Sequence, residues 1–166
     1  MSDFFLDRIF ESDQSYRNFQ CLGYAQWEME SIERLYNIKV EGQLKGFLSE
    51  MGRSSGGMIG DSLIQLYRPS WRVRQHLLFQ VDFFNQMQDE GFYEFLKKPF
   101  VFSLVSETQY YFLQTSGDEK DVVCQFDSNV GVATRTEWDL VGFIKMLISE
   151  SEGEVKVLAQ GDLLVI

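Results

Sequence analysis

The chain has 166 residues, of which 45% are hydrophobic, 24% charged and 15% aromatic, and its net charge is -10. A length of one domain with this share of apolar residues excludes disorder throughout and needs neither disulfide nor metal to hold a core. The excess of acids, 25 against 15 Lys and Arg, argues against duplex binding, which draws its affinity from cations neutralising phosphates.

Residues 2–11 are expected to form a short helix, with Ser2 as N-cap, Asp3 in the first turn and Phe4, Phe5 and Ile9 on one side. The opening residues MSDFFLDRIFESD have no basic stretch ahead of an apolar run, so they are not read as a secretory signal. No run reaches the ~18 apolar residues of a membrane span. Residues 12–24 are polar and mixed, and 1–24 as a whole read as an N-terminal helical extension of a single domain spanning 1–166. A second helix is predicted from Gln26 to Tyr36, with Ile32, Leu35 and Tyr36 inward and Asn37 as its left-handed stop. A third, from Glu41 to Met51, places Leu44, Phe47, Leu48 and Met51 at i, i+3, i+4, i+7.

Gly52-Arg53-Ser54-Ser55-Gly56-Gly57 must leave the helix. The spacing of its glycines is that of a P-loop, but Met58 and Ile59 stand where Lys and Ser or Thr belong, so it reads as a plain turn. Leu63 to Tyr67 reads as a short strand, and a long helix is expected from Pro69 to Gln88 with Val73, Leu77, Val81 and Phe84 as its stripe, widened by Leu78 and Phe83.

The period then changes. Residues 100–105, 109–114, 121–126 and 130–134 read as four antiparallel strands joined by polar turns. Thr136 is expected to cap a last helix, with Glu137 and Asp139 in its first turn and Trp138, Val141, Phe143, Ile144, Leu147 and Ile148 apolar. Residues 155–158 and 163–166 read as short strands. Helices followed by a run of strands imply an α+β fold, an antiparallel sheet of four to six strands with helices packed around it.

Catalytic chemistry has few carriers. His76 is the one histidine and reads as a surface or half-buried packing residue, and with Cys21 and Cys124 it makes no zinc ligand set. Two cysteines without a framework fit a reduced, cytoplasmic setting. Carboxylates two apart on a helix, such as Glu137 and Asp139, do not face each other. Arg68, Arg72 and Arg74 around Trp71 have the interleaving of single-strand nucleic-acid binders, but they read as the solvated start of a helix. Residues 101–166 alone carry 11 acids and 4 bases. Their sharper reading is steering toward a basic protein partner, with Asp118, Glu119 and Asp121 in a turn as leading contacts and Glu137 and Asp139 as weaker ones.

Glu33-Arg34-Leu35-Tyr36-Asn37-Ile38, then Leu44, Phe47-Leu48 and Gly52…Gly56-Gly57, resemble the opening of the SUKH superfamily, the SMI/KNR group. Phe100-Val101-Phe102, Tyr110-Tyr111-Phe112, Val122-Val123-Cys124 and a closing helix with Phe143 extend the resemblance over about residues 25–150, with Trp138 and Phe143 packing on the sheet. The chain departs from the family's frequent Leu-Pro step at Lys39-Val40-Glu41. The resemblance implies a non-enzymatic immunity protein, without cofactor or metal, that binds and neutralises a cognate bacterial toxin of nuclease or deaminase type by occlusion. Nucleic acid and membrane are not expected partners. Two alternatives stand beside it: a regulatory or scaffolding SMI/KNR-type interaction domain, and a small carboxylate-based enzyme.

Overall fold

Four strands form one antiparallel sheet in the order β1 (Pro99–Val105), β2 (Gln109–Gln114), β3 (Val122–Asp127) and β4 (Val132–Asp139). The computed structural model describes residues 4–10, 19–59, 63–151 and 158–166. The sheet is the expected meander. Ser106 and Glu107 both take positive φ, at 54° and 62°, the backbone that a tight hairpin requires. Asp127 turns the chain into β4 by accepting the Asn129 N–H on its carboxylate and the Gly131 N–H on its carbonyl.

Both faces of the sheet are covered over β1, β2 and β3, which are rich in apolar residues, whereas β4 (VATRTEWD) has no buried residue. Val101, Phe112 and Cys124 are cross-strand neighbours on one face, and Phe100, Leu113 and Val123 on the other. The first face, with Tyr110 and Phe126, packs under α4 (Val73–Asp89) through Phe83 and Met87. The second face packs against α1 (Phe5–Phe10), α2 (Gln26–Tyr36), α3 (Gly42–Met51) and α5 (Leu140–Glu150) in the larger core. The result is a three-layer α+β arrangement. At the β1 edge the Gln80 amide of α4 donates to the Val101 carbonyl at 2.7 Å and accepts the Val101 N–H at 2.9 Å. That satisfies main-chain groups on the open edge of β1, just before the bulge between Val101 and Ser103.

Helices α2 and α3 follow the expected bounds. Asn37 ends α2 at φ 53°, and Leu44, Phe47, Leu48 and Met51 of α3 are all buried. Phe5 of α1 stands edge-on to Phe47 at 5.8 Å, while Phe4, expected on the same apolar side, is exposed. The expected Ser2 cap lies outside the described residues.

Four expectations are corrected. Residues 65–67 form a 3-10 turn, and strand pairing there is limited to one bridge, Ile64 to Ser103. Gln65, Leu66 and Tyr67 are all buried, so the apparent two-residue alternation has no solvent side. Helix α4 begins at Val73, not Pro69, and its inward residues are Val73, His76, Phe83 and Met87, whereas Leu78, Val81 and Phe84 are exposed. The expected stripe passed over His76 because a histidine does not register as apolar. Thr136 is a strand residue whose Oγ donates to the Val123 carbonyl at 2.7 Å. The cap of α5 is Asp139, which accepts the Gly142 N–H at 2.8 Å. Cap residues three apart give two helix starts, and pairing with β3 extends the strand to the later one. Finally, 163–166 is not a strand; residues 155–157 lie outside the described set.

Segment 158–166 is instead held in place by single contacts. Leu163 is fully buried; its N–H donates to the Tyr24 hydroxyl at 2.9 Å, and its carbonyl accepts from the Tyr36 hydroxyl at 2.7 Å. The Val165 carbonyl receives the first N–H of α4, from Val73. Gly161 lies so close to Leu66 that a Cβ there would overlap the Leu66 carbonyl.

Candidate functional site

The five acids proposed as partner contacts do not act as one group. Asp121 accepts the Gln43 N–H at 3.0 Å, at the start of α3. Asp139 accepts from the Gln43 side-chain amide at 2.8 Å as well as capping α5. Burial alone would raise the Asp139 carboxyl, but the Gln43 and Gly142 hydrogen bonds outweigh it and hold the group below its usual range. Such a carboxylate stays ionised, which suits a cap and not a general acid. Glu119 pairs with Arg135, whose guanidinium lies 4.8 Å over the Phe95 ring. Asp118 and Glu137 are exposed.

His76 is corrected from a surface or half-buried position to a buried one, 2% exposed. Its ring stands edge-on to Trp71 at 5.3 Å, and among the described residues its buried Nε2 has no hydrogen-bond partner. Desolvation pushes its pKa down to about 4. Burial pushes both thiols, Cys21 and Cys124, up to about 11, which leaves them poor nucleophiles at neutral pH. In the glycine turn, the N–H groups of Arg53, Ser54, Gly56, Met58 and Ile59 are spent on Leu22, Ser54 and Ser55, so they are not offered to a phosphate. Among the described residues no group of three or more His, Cys, Asp and Glu is placed to hold a metal ion.

An apolar groove lies elsewhere, between α2 and segment 158–166. Met29, Ile32 and Tyr36 turn inward from α2. Trp27, Ser31 and Leu35, at i, i+4 and i+8, form a second line on the helix that faces outward. Trp27 is 67% exposed and Leu35 41%. With Leu164 and Val165 opposite, they enclose a groove of about 570 Å³. Ile166 separates it from a second groove of about 690 Å³ along Leu77 and Leu78 of α4. Leu35, expected in the core, therefore belongs to the surface.

The floor of the first groove is rigidly built. The Arg53 guanidinium lies 4.0 Å from the centre of the Tyr24 ring. It donates to Glu28 through two nitrogens, at 3.2 and 2.5 Å, to Asp162 at 3.3 Å and to the Gly23 carbonyl at 2.7 Å. The Arg53 hydrogen bonds hold the Glu28 carboxyl below its usual range. This network joins the glycine turn, α2 and segment 158–166.

Sequence reasoning missed Trp27. Its signal was available, since Trp27 and Leu35 fall off the Met29–Ile32–Tyr36 stripe and make a second apolar line on a short helix. Compared with known proteins, the chain matches no family model, and no curated sequence and no solved structure matches it significantly.

Proposed function

We propose that this chain is a non-catalytic protein-binding module of the immunity type, which holds a cognate toxin of nuclease or deaminase class and blocks it by occlusion. The observation that carries a binding role is Trp27, 67% exposed on the rim of an apolar groove with a braced floor. Large apolar side chains exposed together within a polar rim mark protein contact surfaces, and tryptophan is prominent among the residues that dominate binding energy. The toxin as partner class comes from the SUKH resemblance, and the α+β sheet with covered faces is compatible with it. The net charge of -10 favours a basic partner at long range. Of the proposed contact acids, Asp118 and Glu137 are exposed and hold no helix end, so they are the ones left to steer it.

A regulatory or scaffolding role rests on the same groove and differs only in the partner. The test is co-expression with the product of the adjacent gene, assayed for toxicity, followed by binding measurements on the purified pair. Trp27→Ala is expected to weaken binding by about two orders of magnitude and to abolish protection without changing the melting temperature. Reversal of Asp118 and Glu137 to Lys is expected to slow association at low salt and much less at high salt. Full protection by Trp27→Ala would overturn the groove as the contact. An adjacent-gene product that does not bind the native chain would overturn the toxin reading.

A further inference from the structure

The lining of the two grooves does not share the acidity of the whole chain: the first holds Arg34 and Arg53 against Glu28 and Asp162, and the charged residues of the second are arginines only. Arg34 lines the first groove, and Arg72 and Arg74 line the second. Among the described residues Arg34 and Arg74 form no ion pair with a carboxylate, Arg34 reaching only the Ser31 hydroxyl, at 3.4 Å, whereas Arg72 is engaged by the main-chain oxygen of the last residue, Ile166, at 2.8 Å. The two carboxylates at the first groove, Glu28 and Asp162, are both engaged by Arg53. In a chain with 25 acids and 15 bases, this face thus sets two unpaired cations, Arg34 and Arg74, beside exposed Trp27, Leu35, Val165 and Leu78.

We propose that this face docks an acidic amphipathic segment of a partner protein. Its apolar side chains would fill the two grooves on either side of Ile166, and its flanking carboxylates would meet Arg34 and Arg74. The inference rests on the binding-module reading and adds the chemistry of the contact: the partner's docking segment is acidic even if the partner as a whole is basic. A helix with apolar anchors on one side and Glu or Asp beside them meets both requirements. A second copy of this chain does not fit, because a two-fold contact through this face would set its arginines against themselves.

The test uses the intact chain and three fluorescent probes at low salt: a 16-residue helical peptide with Leu on one face and Glu flanks, the same peptide with Lys flanks, and the oligonucleotide dT15. The Glu peptide is expected to bind at least about tenfold more tightly than either other probe, with a preference that shrinks as salt rises. It is expected to shift the Trp27 indole resonance, to lose affinity with Trp27→Ala, and to lose its advantage over the Lys peptide with Arg34→Glu combined with Arg74→Glu. Equal or tighter binding of the Lys peptide or of dT15 would overturn the proposal, as would no binding by any probe or self-association that buries Trp27. Toxin protection is read separately. A Lys-peptide preference with protection still dependent on Trp27 overturns this inference alone. Glu-peptide binding with protection intact in Trp27→Ala overturns the toxin contact instead.

Discussion

Asp121 accepts the main-chain N–H of Gln43 at 3.0 Å, while its own carbonyl accepts the N–H of Leu140. One residue in the loop ahead of β3 thereby ties the start of α3 to the start of α5, across 78 residues of chain in the first case. Glu41, the N-cap residue of α3, makes no side-chain cap, so Asp121 supplies from a distance what a local cap would supply. Asp121→Ala is expected to cost about 1 kcal/mol, as for a lost helix cap, and to lower the melting temperature by about 2–4 °C. Asp118→Ala should leave it unchanged. Equal melting temperatures for the two variants would return Asp121 to the surface role that its place in an acidic turn implies.

Arg53 is expected to be the most sensitive charged position. Its side chain is 17% exposed and that of Glu28 16%, so removing the guanidinium leaves a carboxylate largely out of water with no partner. Arg53→Ala should destabilise by about 3 kcal/mol. Arg53→Lys should recover only part of that, because an ammonium cannot reproduce the two-nitrogen contact. Chemical denaturation of both variants, with Glu28→Gln as the third corner, measures the coupling. Additive costs would show that the network is not a unit.

His76 sets an acid limit. Its folded pKa is depressed to about 4 from 6.5, so the unfolded state takes up the proton first as the pH falls. Stability from this group is fully present above about pH 6.5, declines between 6.5 and 4, and is lost below. The full span corresponds to about 3 kcal/mol. His76→Phe should flatten the stability profile over that window, leaving the contribution of acids such as Glu28 and Asp139 at lower pH. An unchanged slope between pH 6.5 and 4.5 in denaturant titrations of the variant would place the acid sensitivity elsewhere.

Phe47 lies at the centre of the larger core, fully buried and edge-on to Phe5. Phe47→Ala should cost about 3–5 kcal/mol. Since Phe5 is its neighbour, the same variant should loosen α1 first, seen as faster amide exchange at Leu6, whose N–H is held by Glu50. Protection at Leu6 equal to that of the parent chain would show that α1 docks independently of this contact.

Sequence alone determined the helices whose apolar period is undisturbed and the strands bounded by turn residues. The spacing of Leu44, Phe47, Leu48 and Met51 and the Asn37 stop needed only local geometry, and so did the meander of strands, except that its last strand, expected at 130–134, runs from Val132 to Asp139. The α+β class followed from the order of those elements. Tertiary structure decided which side each helix shows to the sheet. His76 took a buried position on α4 beside Trp71 and Asp162 of segment 158–166, and that rotation turned Leu78, Val81 and Phe84 outward. Leu163 was buried by two tyrosine hydroxyls from α2 and the segment before it, contacts 127 and 139 residues apart in sequence that no local period encodes. Acids close together in the chain were separated by function for the same reason. Asp121 and Asp139 converge on Gln43 of α3, nearly a hundred residues away from Asp139, while Trp27 and Val165 meet at the groove. Local propensity is set by neighbours within a few residues, but a surface is made by whichever side chains the folded layers leave uncovered.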